Sequence, residues 1–101
     1  MRSDELSRPR YAWWDYIRKI LVRYPHGEVT PLEETAISTT IEEISQKPNG
    51  KEILTIIELV YFKGIRTLRG AAMEVPCSYE TAKRWQRNFL ISVAEKRGLM
   101  K

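Results

Sequence analysis

The sequence predicts an all-α protein, a compact five-helix domain whose C-terminal third is a helix-turn-helix. Three observations predict it. Apolar residues recur at helical spacing, with no alternating run that would make a strand. Turn chemistry separates these segments at Pro25-His26-Gly27, Lys47-Pro48-Asn49-Gly50, Gly64 and Pro76. Finally, Thr30, Thr67 and Ser78 stand where helices would begin and offer N-cap oxygens. A chain of 101 residues, 43% hydrophobic and with three tryptophans, is long enough for one core but not for two, so residues 1–101 form a single domain.

Residues 1–10 read as a frayed N-terminus. Pro9 can open a helix that runs to about Tyr24 and stops at Pro25 and Gly27. Trp13, Ile17, Ile20, Leu21 and Tyr24 form its apolar face, with Trp14 at the edge of the core. Thr30-Pro31-Leu32-Glu33 is a capping box with proline at the first helical position. Leu32, Ala36, Ile37, Thr40, Ile41 and Ile44 then carry a second helix to about Gln46. The run from Lys51 to Lys63 is rich in Ile and Val. Its length and its narrow polar stripe of Glu52, Thr55 and Glu58 favour a central helix over a buried strand, and Gly64 ends it.

Residues 67–97 carry the chemistry. Thr67 caps a short helix with one small apolar face, Leu68, Ala71 and Ala72, of the kind a second helix can cross closely. Pro76 ends that helix by pushing Val75 out of the α region, and Ser78 caps the next. At about 100° per residue, Ala82, Trp85, Phe89 and Val93 share one stripe, while Tyr79, Glu80, Lys83, Arg84 and Arg87 fall mostly opposite. A helix anchored in this way would offer three cations, a phenol and a carboxylate near its N-terminus, the end that enters the major groove in a helix-turn-helix. Arginine pairs with guanine edges, glutamate accepts from cytosine, and lysine serves phosphates and guanine alike. An ordinary amphipathic helix with solvated cations would show the same face.

Charge is distributed to match. The net charge of +4 divides into +3 over residues 1–27, −5 over 28–62 and +6 over 63–101, which gives a polyanion a basic C-terminal end and an acidic middle to avoid. Arg66, Arg69, Arg18 and Lys19 are candidate phosphate contacts, and Thr67 and Ser78 join the candidate DNA-binding set by position. Trp14 and Tyr11, in an N-terminal segment with more aromatic residues than packing requires, are candidates for a protein-contact surface.

The stretch from Thr67 to Leu90 resembles, without a gap, the helix-turn-helix of region four in bacterial primary sigma factors. Upstream, Ile53 to Lys63 followed by Thr67-Leu68 resembles the RinA and ArpU groups of small phage transcription regulators, as does Tyr24-Pro25 after an aromatic segment. The sigma-like match covers about a quarter of the chain and the phage-regulator match most of it more loosely. The resemblance implies a phage-derived late-gene activator with base-reading positions at Tyr79, Glu80, Lys83, Arg84 and Arg87. Tyr79 and Arg84 replace the usual Arg and Gln, so the promoter sequence does not carry over. Pro76 stands where such turns commonly have Asp or Gly. Two alternatives share these residues: a sigma-like or antitermination factor that docks on RNA polymerase, and a DNA-packaging protein of the small-terminase kind. The packaging reading requires a ring assembly, whereas a homodimer is compatible with the regulator.

Little else carries chemistry. His26 is the lone histidine and Cys77 the lone cysteine, so there is no zinc-ligand cluster, no intrachain disulfide and no nucleophile–base pair. Glu33-Glu34 and Glu42-Glu43 read as a solvated face. No enzymatic activity, cofactor or metal is expected. Cys77 reads as a small buried hydrophobe. The most apolar run, Ile53 to Phe62, is too short to span a bilayer, and no signal peptide is visible, so the expected location is the cytoplasm.

Overall fold

A computed structural model describes residues 12–99, and among them every regular element is helical. The elements are α1 (Trp14–Arg23), α2 (Pro31–Ser45), α3 (Gly50–Ile57), α4 (Leu68–Glu74) and α5 (Tyr79–Arg97). A short 3-10 turn, Tyr24–His26, follows α1. The Cα radius of gyration is 13.1 Å, against about 13 Å for a compact domain of this length. No helix among the described residues is long and apolar enough to cross a membrane.

Residues 12 and 13 lie in a turn, so α1 starts at Trp14 and not at Pro9, which lies outside the described residues, as does Tyr11. The two tryptophans exchange the expected roles. Trp14 is in step with Ile17 and Leu21 and is buried with them, whereas Trp13 precedes the first helical residue and is only half-buried. The ring centroids are 5.8 Å apart. Trp14 therefore belongs to the core and offers no contact surface.

Helix α2 opens with the complete capping box. The Thr30 hydroxyl accepts from the Glu33 N–H at 3.2 Å, and the Thr30 N–H donates to the Glu33 carboxylate at 2.9 Å. Its buried side is Glu33, Ala36, Ile37, Thr40 and Ile44. Leu32 is 67% exposed, because it lies about 90° from the centre of that stripe while Glu33 lies on it. The expectation is reversed there: the carboxylate goes inside and the leucine outside. Glu33 is satisfied where it lies, accepting also from the Tyr16 hydroxyl, which in turn accepts from Arg97 Nε at 3.2 Å. Tyr16 thus ties α1 to the start of α2 and the end of α5.

The α2–α3 turn closes tightly. Lys47 N–H reaches the Ile44 carbonyl at 3.0 Å and Gly50 N–H the Lys47 carbonyl at 2.9 Å. Helix α3 then continues as a wide π turn, Glu58–Phe62, closed by the Lys63 N–H on the Glu58 carbonyl at 2.7 Å. Gly64, at φ 65°, ends it as the spacing predicts.

Two apolar clusters result. The larger joins α1, α2, α3, Tyr61 and the C-terminal half of α5, through Phe89, Leu90, Val93 and Ala94. The smaller joins Ile56 of α3, Ala71 and Ala72 of α4, and Ala82 of α5. Trp85 packs against both.

Gly50 meets the sharpest packing limit: a Cβ there would stand 2.1 Å from the Ile44 carbonyl oxygen. Alanine favours a helix over glycine by about 1 kcal/mol, but backbone displacement of this kind costs about 1–3 kcal/mol or more. Gly50→Ala is expected to lower the free energy of unfolding in a urea titration; a stabilised variant would contradict the contact. Glu33 supplies a pH test. Burial alone would raise its pKa, but hydrogen bonds from Tyr16 and Thr30 and the charge of Arg97 outweigh it and hold the carboxyl below its usual 4.5. A depressed folded-state pKa contributes stability above 4.5 that is lost as pH falls through the folded value. Glu33→Gln should lower stability at pH 7 by the about 1.5–3 kcal/mol of a hydrogen bond to a charged group, and should narrow the Tm difference between neutral and acidic pH.

Candidate nucleic-acid interface

Helices α4 and α5 are built from local signals. The Thr67 hydroxyl accepts from the Gly70 N–H at 3.1 Å and the Ser78 hydroxyl from the Thr81 N–H at 3.0 Å, so both residues are N-caps. Their part in the candidate interface is to fix where the helices begin. Helix α4 ends at Glu74 with Val75 as its C-cap. Pro76, whose ring cannot continue a helix, follows in the connecting turn. Cys77 is half-buried against the smaller cluster, less enclosed than expected, and burial pushes its thiol pKa up.

Helix α5 buries Ala82, Phe89, Leu90, Val93 and Ala94 and half-buries Trp85. Leu90 and Ala94 widen the buried arc to about half the helix circumference. The predicted stripe lacked both, and the wider arc divides the predicted basic face. Arg84 lies near the middle of what remains exposed, with Glu80 and Arg87 beside it, and all three are exposed. Lys83 falls near the edge of the buried arc and Tyr79 within it at the helix N-terminus, both half-buried on the side of α4.

On that margin α4 supplies the missing neighbour. The Arg69 guanidinium stands 4.0 Å from the centroid of the Tyr79 ring and Lys83 Nζ stands 5.1 Å from it. Lys83 also pairs with Glu80 at 3.5 Å. Tyr79 is therefore a platform carrying two cations, and its ring is not turned outward as a free reader. Arg66 is otherwise engaged. It pairs with Glu74 and donates to the Ile65 carbonyl at 2.9 Å, its stem lying over Gly70, where a Cβ would come within 3.5 Å of Arg66 Cδ. That exposed pair would compete with a phosphate for Arg66, as the Glu80 pair would for Lys83.

Of the two α1 candidates, Arg18 lies 3.9 Å from Asp15 and close enough to Tyr61 to oppose the upward pKa shift that burial imposes on that phenol. Tyr61 donates to Gln86 at 2.6 Å, which places Arg18 beside the middle of α5. Lys19 is exposed. The structure does not join it to the cluster of α4 and α5.

The other margin of α5 carries a group that the sequence reading missed. A cavity of about 230 Å³ separates the α2–α3 turn from α5, with Lys47, Asn49, Arg84 and Asn88 at its exposed rim and Ile44, Ile53 and Trp85 beneath. Lys47 belongs to a predicted turn 37 positions before Arg84, so no local pattern could bring them together. Among the described residues neither Lys47 nor Arg84 has a carboxylate within ion-pair distance, nor does Arg87. The exposed face of α5 is thus flanked by cations on both margins: Arg69 and Lys83 on one, Lys47 on the other. No family model, curated protein or solved structure matches the chain.

Proposed function

We propose that the protein is a sequence-specific DNA-binding transcription regulator whose α5 enters the major groove through its N-terminal half. The observation that carries this reading is the outward placement of Glu80, Arg84 and Arg87 on a helix whose opposite arc is consumed by the core. Arg84, exposed and without an ion-pair partner among the described residues, is the first choice for a bidentate guanine contact. Arg87 is the second, and Glu80 can accept from a cytosine amino group. Arg69 and Lys83, raised on the Tyr79 ring, and Lys47 across the helix would meet the phosphates that border the groove, supplying affinity without sequence information. The half-buried Trp85 and the caps at Thr67 and Ser78 hold this arrangement in place. The phage-derived, late-gene role stays an inference from the sequence resemblance.

A second reading has its own observation. Ile65, just before α4, is 57% exposed and Met73, one turn after Arg69 on α4, is 77% exposed, apolar side chains of the kind found in protein contacts. They favour a sigma-like module that docks on RNA polymerase. Capture of polymerase by a protein that binds no duplex would select this reading over the first.

The deciding experiment selects bound duplexes from a random library at fixed salt, then measures variants on the selected and on random duplexes. Arg84→Ala should cost about 1–3 kcal/mol on the selected site and much less on random sequence. Lys83→Ala should weaken both alike and reduce the slope of log K against log salt by about 0.9. If Arg84→Ala and Arg87→Ala leave both affinities unchanged, the groove face is wrong.

A further inference from the structure

We infer that the cavity between the α2–α3 turn and α5 is a binding site for a small carboxylate with an apolar body, of the aromatic monocarboxylate class. Three features of its lining bear on what it can hold. Both charged residues of its lining, Lys47 and Arg84, are cations, and no acidic residue lines it. Neither cation is paired with a carboxylate among the described residues. Beneath them lie two buried isoleucines, Ile44 and Ile53, and the half-buried Trp85.

The rim alone would suit any anion. The floor decides the class, because a bare tetrahedral ion held at the rim would leave the half-exposed indole of Trp85 in water, whereas a ring would cover it. Arginine presents a planar fork that matches a carboxylate, and Lys47 adds a second charge. Asn49 and Asn88 bring carboxamides to the same rim, and neither side chain is engaged by another described residue. The volume of about 230 Å³ lies below the roughly 300–1,000 Å³ of sites for larger organic ligands. It corresponds to roughly eight liquid waters, which a single ring with its carboxylate replaces.

Arg84 belongs to both this cavity and the face proposed for DNA. A ligand that holds its guanidinium would compete with a duplex for it, and linkage makes the antagonism reciprocal. That consequence rests on the proposed function; the site itself does not.

The test is a titration of the full chain, without DNA, by ¹H–¹⁵N correlation spectra with benzoate as probe. Benzamide serves as the neutral counterpart and inorganic phosphate as the anion without a ring. Benzoate should produce saturable shifts at the Trp85 indole N–H and the Asn49 and Asn88 side-chain amides. Benzamide, which lacks the charge-assisted pair, and phosphate, which lacks the apolar body, should each bind at least about tenfold more weakly. Arg84→Gln and Lys47→Gln, at exposed positions that leave the core intact, should each weaken benzoate about tenfold with unchanged Tm. Shifts that never saturate, equal binding of benzamide or phosphate, or indifference to both substitutions would overturn the site. Because no nucleic acid is present, that failure is separate from any failure of DNA binding.

Discussion

One helix is shared by two packing clusters, and the rest of the molecule is arranged around that sharing. The C-terminal half of α5 gives Phe89, Leu90, Val93 and Ala94 to the larger cluster, while Ala82 enters the smaller one and Trp85 touches both. Full burial of side chains such as Phe89, Leu90 and Val93 is worth about 1.5–3 kcal/mol each, so rotating the helix would forfeit more than any surface contact could return. The orientation of its exposed residues is therefore set by the core. Glu80, Arg84 and Arg87 face outward because the opposite arc has nowhere else to go.

Much of this was legible in the residues, and the legible parts share a physical cause. The caps at Thr30, Thr67 and Ser78, and the exits at Gly27 and Gly64, depend on atoms a few positions away, so local sequence suffices to predict them. Side-chain burial depends on neighbours remote in sequence, and the misreadings concentrate there. Hydrophobicity put Leu32 inside and Glu33 outside. The structure reverses both, since Tyr16 and Thr30 satisfy a carboxylate on the buried side. Trp14 and Trp13 changed places for a similar reason: their order on the core was decided by where α1 begins, and α1 lacks a side-chain cap to announce its start.

The candidate interface divides along the same line. Composition and angular spacing were enough to mark the first turns of α5 as basic. They could not show that Leu90 and Ala94 would widen the buried arc and leave Tyr79 beneath Arg69 and Lys83. Nor could they show that Arg66 would be held by Glu74, or that Lys47 would stand across the cavity from the exposed face. In each case the partner comes from another helix or turn, and tertiary packing decides which charges stay free. Five exposed or half-exposed cations thus serve three different settings: a ring platform, an ion pair and an open rim.

The wide turn at Glu58–Phe62 has a consequence for how this chain tolerates change in length. Its N–H groups reach one residue further back than in an α-helix, so the segment houses a surplus position within continuous hydrogen bonding. Removing a single residue there would let the helix relax to ordinary winding, and one residue corresponds to about 100° of rotation. Tyr61 would swing away from Gln86, and Phe62 away from Tyr24, whose ring centroid now lies 5.4 Å from its own. The swollen turn is in this sense a phase setting between the two halves of the molecule, fixing the azimuth at which the C-terminal helices leave the scaffold.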